Sequence, residues 1–153
     1  MITSTITSTI TITSTSTSTI TATIMQQSAR NFHNYRVWQD AVDFATLIYN
    51  ITAQLPWFEK KGLCDQLQRA VVSISSNIAE GAGRPTDADF AHFLDQSLGS
   101  ANEVETQLLI SKNLNYISEE QFHQLTNNLT NIQKQLTGLI ASIRNNYKQE
   151  SNS

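Results

Sequence analysis

Three kinds of side chain in this sequence could carry chemistry: acid–histidine pairs at helical spacing, one thiol, and a few cations beside aromatic rings. Glu120 stands three residues before His123, and Asp89 three before His92. That is the Glu-x-x-His spacing, with Asp for Glu in the second pair, by which four-helix proteins hold two metal ions between facing helices. Position decides against both pairs. With Phe122 and Leu125 as core positions, Glu120 and His123 fall on the outer half of their helix, and Asp89 and His92 lie off the Phe90/Leu94 seam. No metal site is expected. The single cysteine, Cys64, excludes an internal disulfide framework and a cysteine-rich zinc site. It falls at the start of a helix on the apolar side, where it reads as a small buried hydrophobe, although a helix N-terminus can also activate a thiol. Ser73, Ser75 and Ser76 have no histidine in their segment, and Gly81-Ala82-Gly83 ends a helix instead of opening one after a strand, so no phosphate cradle forms there. The chain is expected not to be an enzyme and to need no cofactor.

Cations are the remaining lead. Lys60 and Lys61 follow Trp57 and Phe58, while Arg69 and Arg84 flank the next helical segment. Such a set could bind phosphates and stack bases, which makes Lys60, Lys61, Arg69 and Arg84 candidate nucleic-acid contacts. The competing reading is plainer: Glu59 offsets the lysines, the two aromatics cap a bundle end, and Glu80 can pair with Arg84 one turn later. The balance of ten Lys/Arg against thirteen Asp/Glu gives a net charge of −3, which argues against a surface that grips a phosphate backbone throughout.

These residues ride on four helical patterns. From Tyr35 to Leu55, Trp38, Ala41, Ala45, Ile48 and Leu55, with Val37, Phe44 and Ile51 beside them, form one wide face, limited by Pro56. From Leu63 to Gly83, Leu67, Val71, Ile74 and Ile78 form the next, with Pro85 at the junction. Thr86 is a good N-cap for a third helix carrying Phe90, Phe93, Leu94, Leu98, Ala101, Val104 and Leu108 to about Asn113–Asn115. Gly99 in its middle points to close approach of a neighbouring helix. Ser118 and Gln121 make a capping box for the fourth. There Phe122, Leu125, Leu129, Ile132, Leu136, Leu139 and Ile143 repeat as a heptad seam. The expected fold is all-α, an antiparallel up-down-up-down four-helix bundle over residues 32–148, with a disordered C-terminus at 149–153.

Residues 1–31 read as a low-complexity, disordered tail. The first 24 hold eleven Thr, five Ser and six Ile and no charge, with Thr at every odd position from 3 to 23. The period of two is a strand's, but no second strand-like run exists to pair with it. Met25 could be the true start. Nothing approaches the ~18 consecutive apolar residues of a membrane span, so a cytoplasmic protein without membrane contact is expected.

The run Ser73-Ile74-Ser75-Ser76-Asn77-Ile78-Ala79-Glu80-Gly81-Ala82-Gly83-Arg84 closely resembles the signature of a bacterial four-helix bundle family first known from open reading frames in 23S ribosomal RNA intervening sequences. Val37-Trp38-Gln39-Asp40-Ala41, Leu55-Pro56, Gly62-Leu63, Phe93-Leu94, Gly99-Ser100 and Glu105-Thr106-Gln107-Leu108 agree in order, so the resemblance spans about residues 32–144. It implies a homo-oligomer, typically a ring of five bundles. A relative in fold, the accessory protein of diversity-generating retroelements, binds nucleic acid and a reverse transcriptase through a strongly basic surface. This chain departs from it with a pI near 5.5. Within the signature, Ser73, Ser76, Ala79 and Gly83 form a small-residue strip that permits close helix contact. Asn77, Glu80 and Arg84, with Ser73 and Ser76, are the candidate residues for linking subunits or for tying the corner between the second and third helices.

Overall fold

The structure, a computed structural model, describes residues 30–151. The tail expected to be disordered lies, up to residue 29, outside the described residues. Four helices follow: α1 (Arg36–Thr52), α2 (Leu63–Ala82), α3 (Asp87–Asn113) and α4 (Glu119–Ser151), with 3-10 turns at Phe32–Asn34 and Trp57–Glu59. No strand occurs among the described residues. α2 packs on α3, α3 on α4 and α1 on α2, and α1 meets α4 most loosely. This is the expected bundle. α4 runs on to Ser151, past the expected boundary at 148. α1 stops at Thr52, short of the expected Leu55, and the chain turns before Pro56.

The helix ends follow from side chains that satisfy otherwise orphaned backbone groups. Thr86 Oγ1 accepts the Asp89 N–H at 3.0 Å. Ser118 and Gln121 exchange bonds, Gln121 N–H to Ser118 Oγ at 3.1 Å and Ser118 N–H to Gln121 Oε1 at 2.9 Å, as the capping box requires. α3 ends with Asn115 at φ 58°. The Tyr116 N–H then reaches the Ser111 carbonyl and the Asn115 N–H that of Lys112, both at 2.9 Å. This is a Schellman turn with asparagine in the left-handed position usually held by glycine.

The core contains Ala41, Ile48, Leu67, Val71, Ile74, Ile78, Leu94, Ala101, Val104, Leu108, Leu129 and Leu136, each without exposed surface. Two expected stripes shift. On α4, Ile140 is buried and Leu139 only partly so. A straight helix of 3.6 residues per turn drifts about 20° per heptad off a strict 3.5-residue seam, and the roughly 50° gained from Phe122 onward turns Leu139 aside in favour of Ile140. On α3 the buried row passes through Phe90, Leu94, Ser97, Ala101, Val104, Leu108 and Ser111, while Leu98 is only partly buried and Leu109 and Ile110 face outward. The Ser97 hydroxyl donates to the Ile74 carbonyl of α2 at 2.8 Å, which removes the cost of burying it.

The glycine expected to mark close helix approach does not. A Cβ on Gly99 would meet nothing within 4 Å, whereas one on Gly81 would lie 2.6 Å from Phe93 Cβ. The contact between α2 and α3 is tightest at their connecting corner.

Candidate functional site

The residues singled out for chemistry occupy three places: the α2–α3 seam with its corner, the turn between α1 and α2, and the outer faces of α3 and α4.

In the seam, Asn77 Nδ2 donates to the Ser73 carbonyl at 2.8 Å and to Ser73 Oγ at 2.9 Å. Ser73 Oγ in turn lies 3.0 Å from Ser100 Oγ on α3. The nitrogen of the candidate amide is therefore bonded within its own helix. Close contact runs through Ser73 and Gly81, not along the expected strip: Ser76 and Gly83 are exposed. At the corner Glu80 and Arg84 form an ion pair, and the Arg84 guanidinium stands 4.5 Å from the Phe93 ring centroid. Gly81, Phe93, Arg84 and Glu80 thus meet at the α2–α3 corner.

The turn between α1 and α2 holds the most exposed aromatics of the described chain. Trp57 is 86% exposed and Phe58 60%. Their rings stand 6.1 Å apart at 79°, and Phe58 lies 6.3 Å from the Tyr116 ring. Glu59 fixes this turn. Its Oε2 accepts the Leu63 N–H that opens α2 at 3.1 Å, and its Oε1 accepts the Tyr116 hydroxyl at 3.1 Å. Behind the turn is a cleft of about 440 Å³ lined by residues that include Thr52, Leu55, Trp57, Lys60, Cys64 and Gln68. Cys64 is buried, with its thiol 3.5 Å from the Thr52 carbonyl. Burial, with the Glu59 carboxylate adding to it, pushes the thiol above its ordinary value, the reverse of what activates a nucleophile. Burial and the same carboxylate push the Tyr116 phenol up as well.

The four candidate cations do not converge in one subunit. Lys60 and Lys61 precede α2 and Arg84 follows it, so a helix of about 30 Å separates them. Arg69 pairs with Asp65 at 2.6 Å. Lys60 and Lys61 alone have side chains with no bonded partner and stand side by side.

On the outer faces, His123 Nε2 lies 3.1 Å from Glu119 Oε1 on the surface, and exposed His92 bonds Gln96 at 2.9 Å. No group of three or more histidine, cysteine or acidic side chains is placed to hold a metal among the described residues. No helix of the described residues is long and apolar enough to cross a membrane.

Sequence reasoning missed the staple formed by Glu59 and Tyr116. Their separation of 57 positions leaves no local pattern, although a glutamate four residues before the first helical N–H was a usable sign. It also missed Gln107, buried on α3 with its amide donating to Glu103 Oε1 at 2.9 Å.

A four-helix, all-α architecture with this corner signature defines the class. Residues 33–138 match the 23S rRNA-intervening sequence protein family, and the chain belongs to that family. Among solved structures it is similar to a protein of unknown function from the S23 ribosomal protein family of Bacteroides thetaiotaomicron. The likeness covers 68% of this chain and 97% of that one, with 33% identity and a TM-score of 0.64. No curated protein matches the chain.

Proposed function

We propose that this protein is a non-enzymatic, homo-oligomeric four-helix bundle that serves in the cytoplasm as an interaction scaffold. One observation carries the reading: Trp57 and Phe58 are displayed at one end of the bundle, and Glu59 holds their turn in place from two sides. Large apolar side chains held in water, with nothing among the described residues to cover them, are the mark of an association surface. The family resemblance, with its expectation of rings of five, supports the same reading. Size-exclusion chromatography with light scattering tests it. A mass that is a multiple of 17.1 kDa is expected, and a monomer at every concentration overturns it.

A second reading has its own support, the unpaired Lys60 and Lys61 beside those aromatics. In it the bundle is an accessory protein that binds RNA or DNA, alone or with a reverse transcriptase, once subunits gather their cations in a ring. Retention on heparin or bulk RNA at low salt, released as salt rises and lost in K60E/K61E, would favour it over the scaffold.

A further inference from the structure

The loosest side of the bundle lies between α1 and α4. A cleft of about 190 Å³ opens there, lined from α1 by Phe44 and Leu47 and from α4 by Asn128, Asn131 and Ile132, with Asp40 and Asp43 at its edge. A cavity of ~150 Å³ is enough to hold a benzene ring, so the cleft takes one aromatic side chain. Its edge is acidic. Asp43 is exposed and accepts only the Gln39 amide, at 3.1 Å. Asp40 accepts the Gln135 amide at 2.7 Å and has Arg36 at 3.6 Å, with that arginine 85% exposed.

The turn between α1 and α2 has the complementary features: an exposed indole, a second ring behind it, and two lysines without partners. Glu59 pins this turn to α2 and to Tyr116, so Trp57 cannot swing round to the α1–α4 side of its own bundle. Phe44 and Leu47 stand eight and five residues before the end of α1 at Thr52, about 12 and 8 Å below the end that carries the turn. Copies inclined to one another bring the Trp57 of one down to the cleft of the next.

Resting on the self-association reading, we propose one particular contact between neighbouring copies. Trp57 of one copy seats in the α1–α4 cleft of its neighbour, with Lys60 and Lys61 against the neighbour's Asp43 and Asp40. Each copy then offers one turn and one cleft, which propagates head to tail and closes into a ring when the rotation allows. Glu120, exposed near the same end on α4, is the acidic group that this arrangement must keep away from the neighbour's aspartates.

The test uses the full chain and light scattering over a dilution series. Trp57→Ala should raise the dissociation constant ~30-fold or more, the range of an aromatic hot spot. Lys60→Asp with Lys61→Asp should dissociate the assembly, as should Asp43→Lys alone, and the three together should restore it. Circular dichroism checks the fold of each variant, which these exposed positions should leave intact. In Trp38→Phe, where Trp57 is the only indole, emission should shift to the blue as concentration rises. An assembly indifferent to Trp57→Ala and to the charge exchanges overturns this contact and leaves self-association standing on another face. A wild-type monomer overturns both. A monomer that binds RNA or anionic vesicles through Trp57 assigns the turn to that partner and likewise overturns the contact.

Discussion

The substitution of glycine by alanine at positions 81 and 99 should act in opposite directions. Both residues sit inside helices, where alanine is favoured over glycine by ~1 kcal/mol because the glycine backbone loses more freedom on folding. At Gly99 the added methyl would enter open space, so Gly99→Ala should keep that gain of ~0.5–1 kcal/mol. At Gly81 the methyl carbon would lie 2.6 Å from Phe93 Cβ, 3.0 Å from Phe90 Cδ2 and 3.4 Å from the Phe90 carbonyl. Phe93 Cβ is anchored to the α3 backbone and cannot rotate away, so α2 and α3 must separate at their corner. Overpacking of this kind costs ~1–3 kcal/mol and also moves the ring that Arg84 covers. Because the neighbouring atom is anchored, the cost falls in the upper half of that range, ~2–3 kcal/mol, and the net expectation for Gly81→Ala is a loss of about 1–2 kcal/mol once the propensity gain is subtracted. At about 4 °C per kcal/mol for a domain of this size, Tm should fall by about 4–8 °C in one variant and rise by about 2–4 °C in the other. Urea unfolding followed by circular dichroism at one protein concentration measures both. A Gly81→Ala protein as stable as wild type, or a Gly99→Ala protein less stable, would refute the reasoning about where the helices touch.

Further expectations concern the seam and the turn. Ser97→Ala should lower stability by ~1 kcal/mol, the worth of a buried hydrogen bond, measured by the same urea titration. Asn77→Ala should also destabilise without changing the assembled mass in light scattering, because its amide bonds Ser73 within one helix; a changed mass would move Asn77 to a subunit contact. Glu59→Ala should cost about 1 kcal/mol for the lost N-terminal cap of α2 and should quicken acrylamide quenching of Trp57 in a Trp38→Phe background; quenching unchanged would show that Glu59 does not hold the turn. In alkali the folded state keeps protons on Cys64 and Tyr116 that the unfolded chain releases from ordinary values of 9.0 and 10.0. Their share of stability is therefore complete below those values and lost as pH rises through the higher folded ones. The urea midpoint should decline above pH 9, and less steeply in Cys64→Ala with Tyr116→Phe.

Helix number, order and connection were legible in the chain because each helix needs one apolar face and a stop, and both are local. Thr86 and the Ser118/Gln121 pair mark boundaries through bonds made within four residues, and Pro56 by the geometry it forbids to its neighbour. The signature from Ser73 to Arg84 was equally visible, but not what it touches. Periodicity reports that a face is buried and not which neighbour buries it. Hence Ser97, a polar residue, was passed over although it faces the Ile74 carbonyl, and Gly99 was given a role that belongs to Gly81. The same limit hid the meeting of Glu59 with Tyr116 and the spread of Lys60, Lys61, Arg69 and Arg84 along about 30 Å of helix. Local pattern selects the elements. Where two elements approach within a methyl group's width, or two distant side chains form a hydrogen bond, is settled only when all four helices close on one interior.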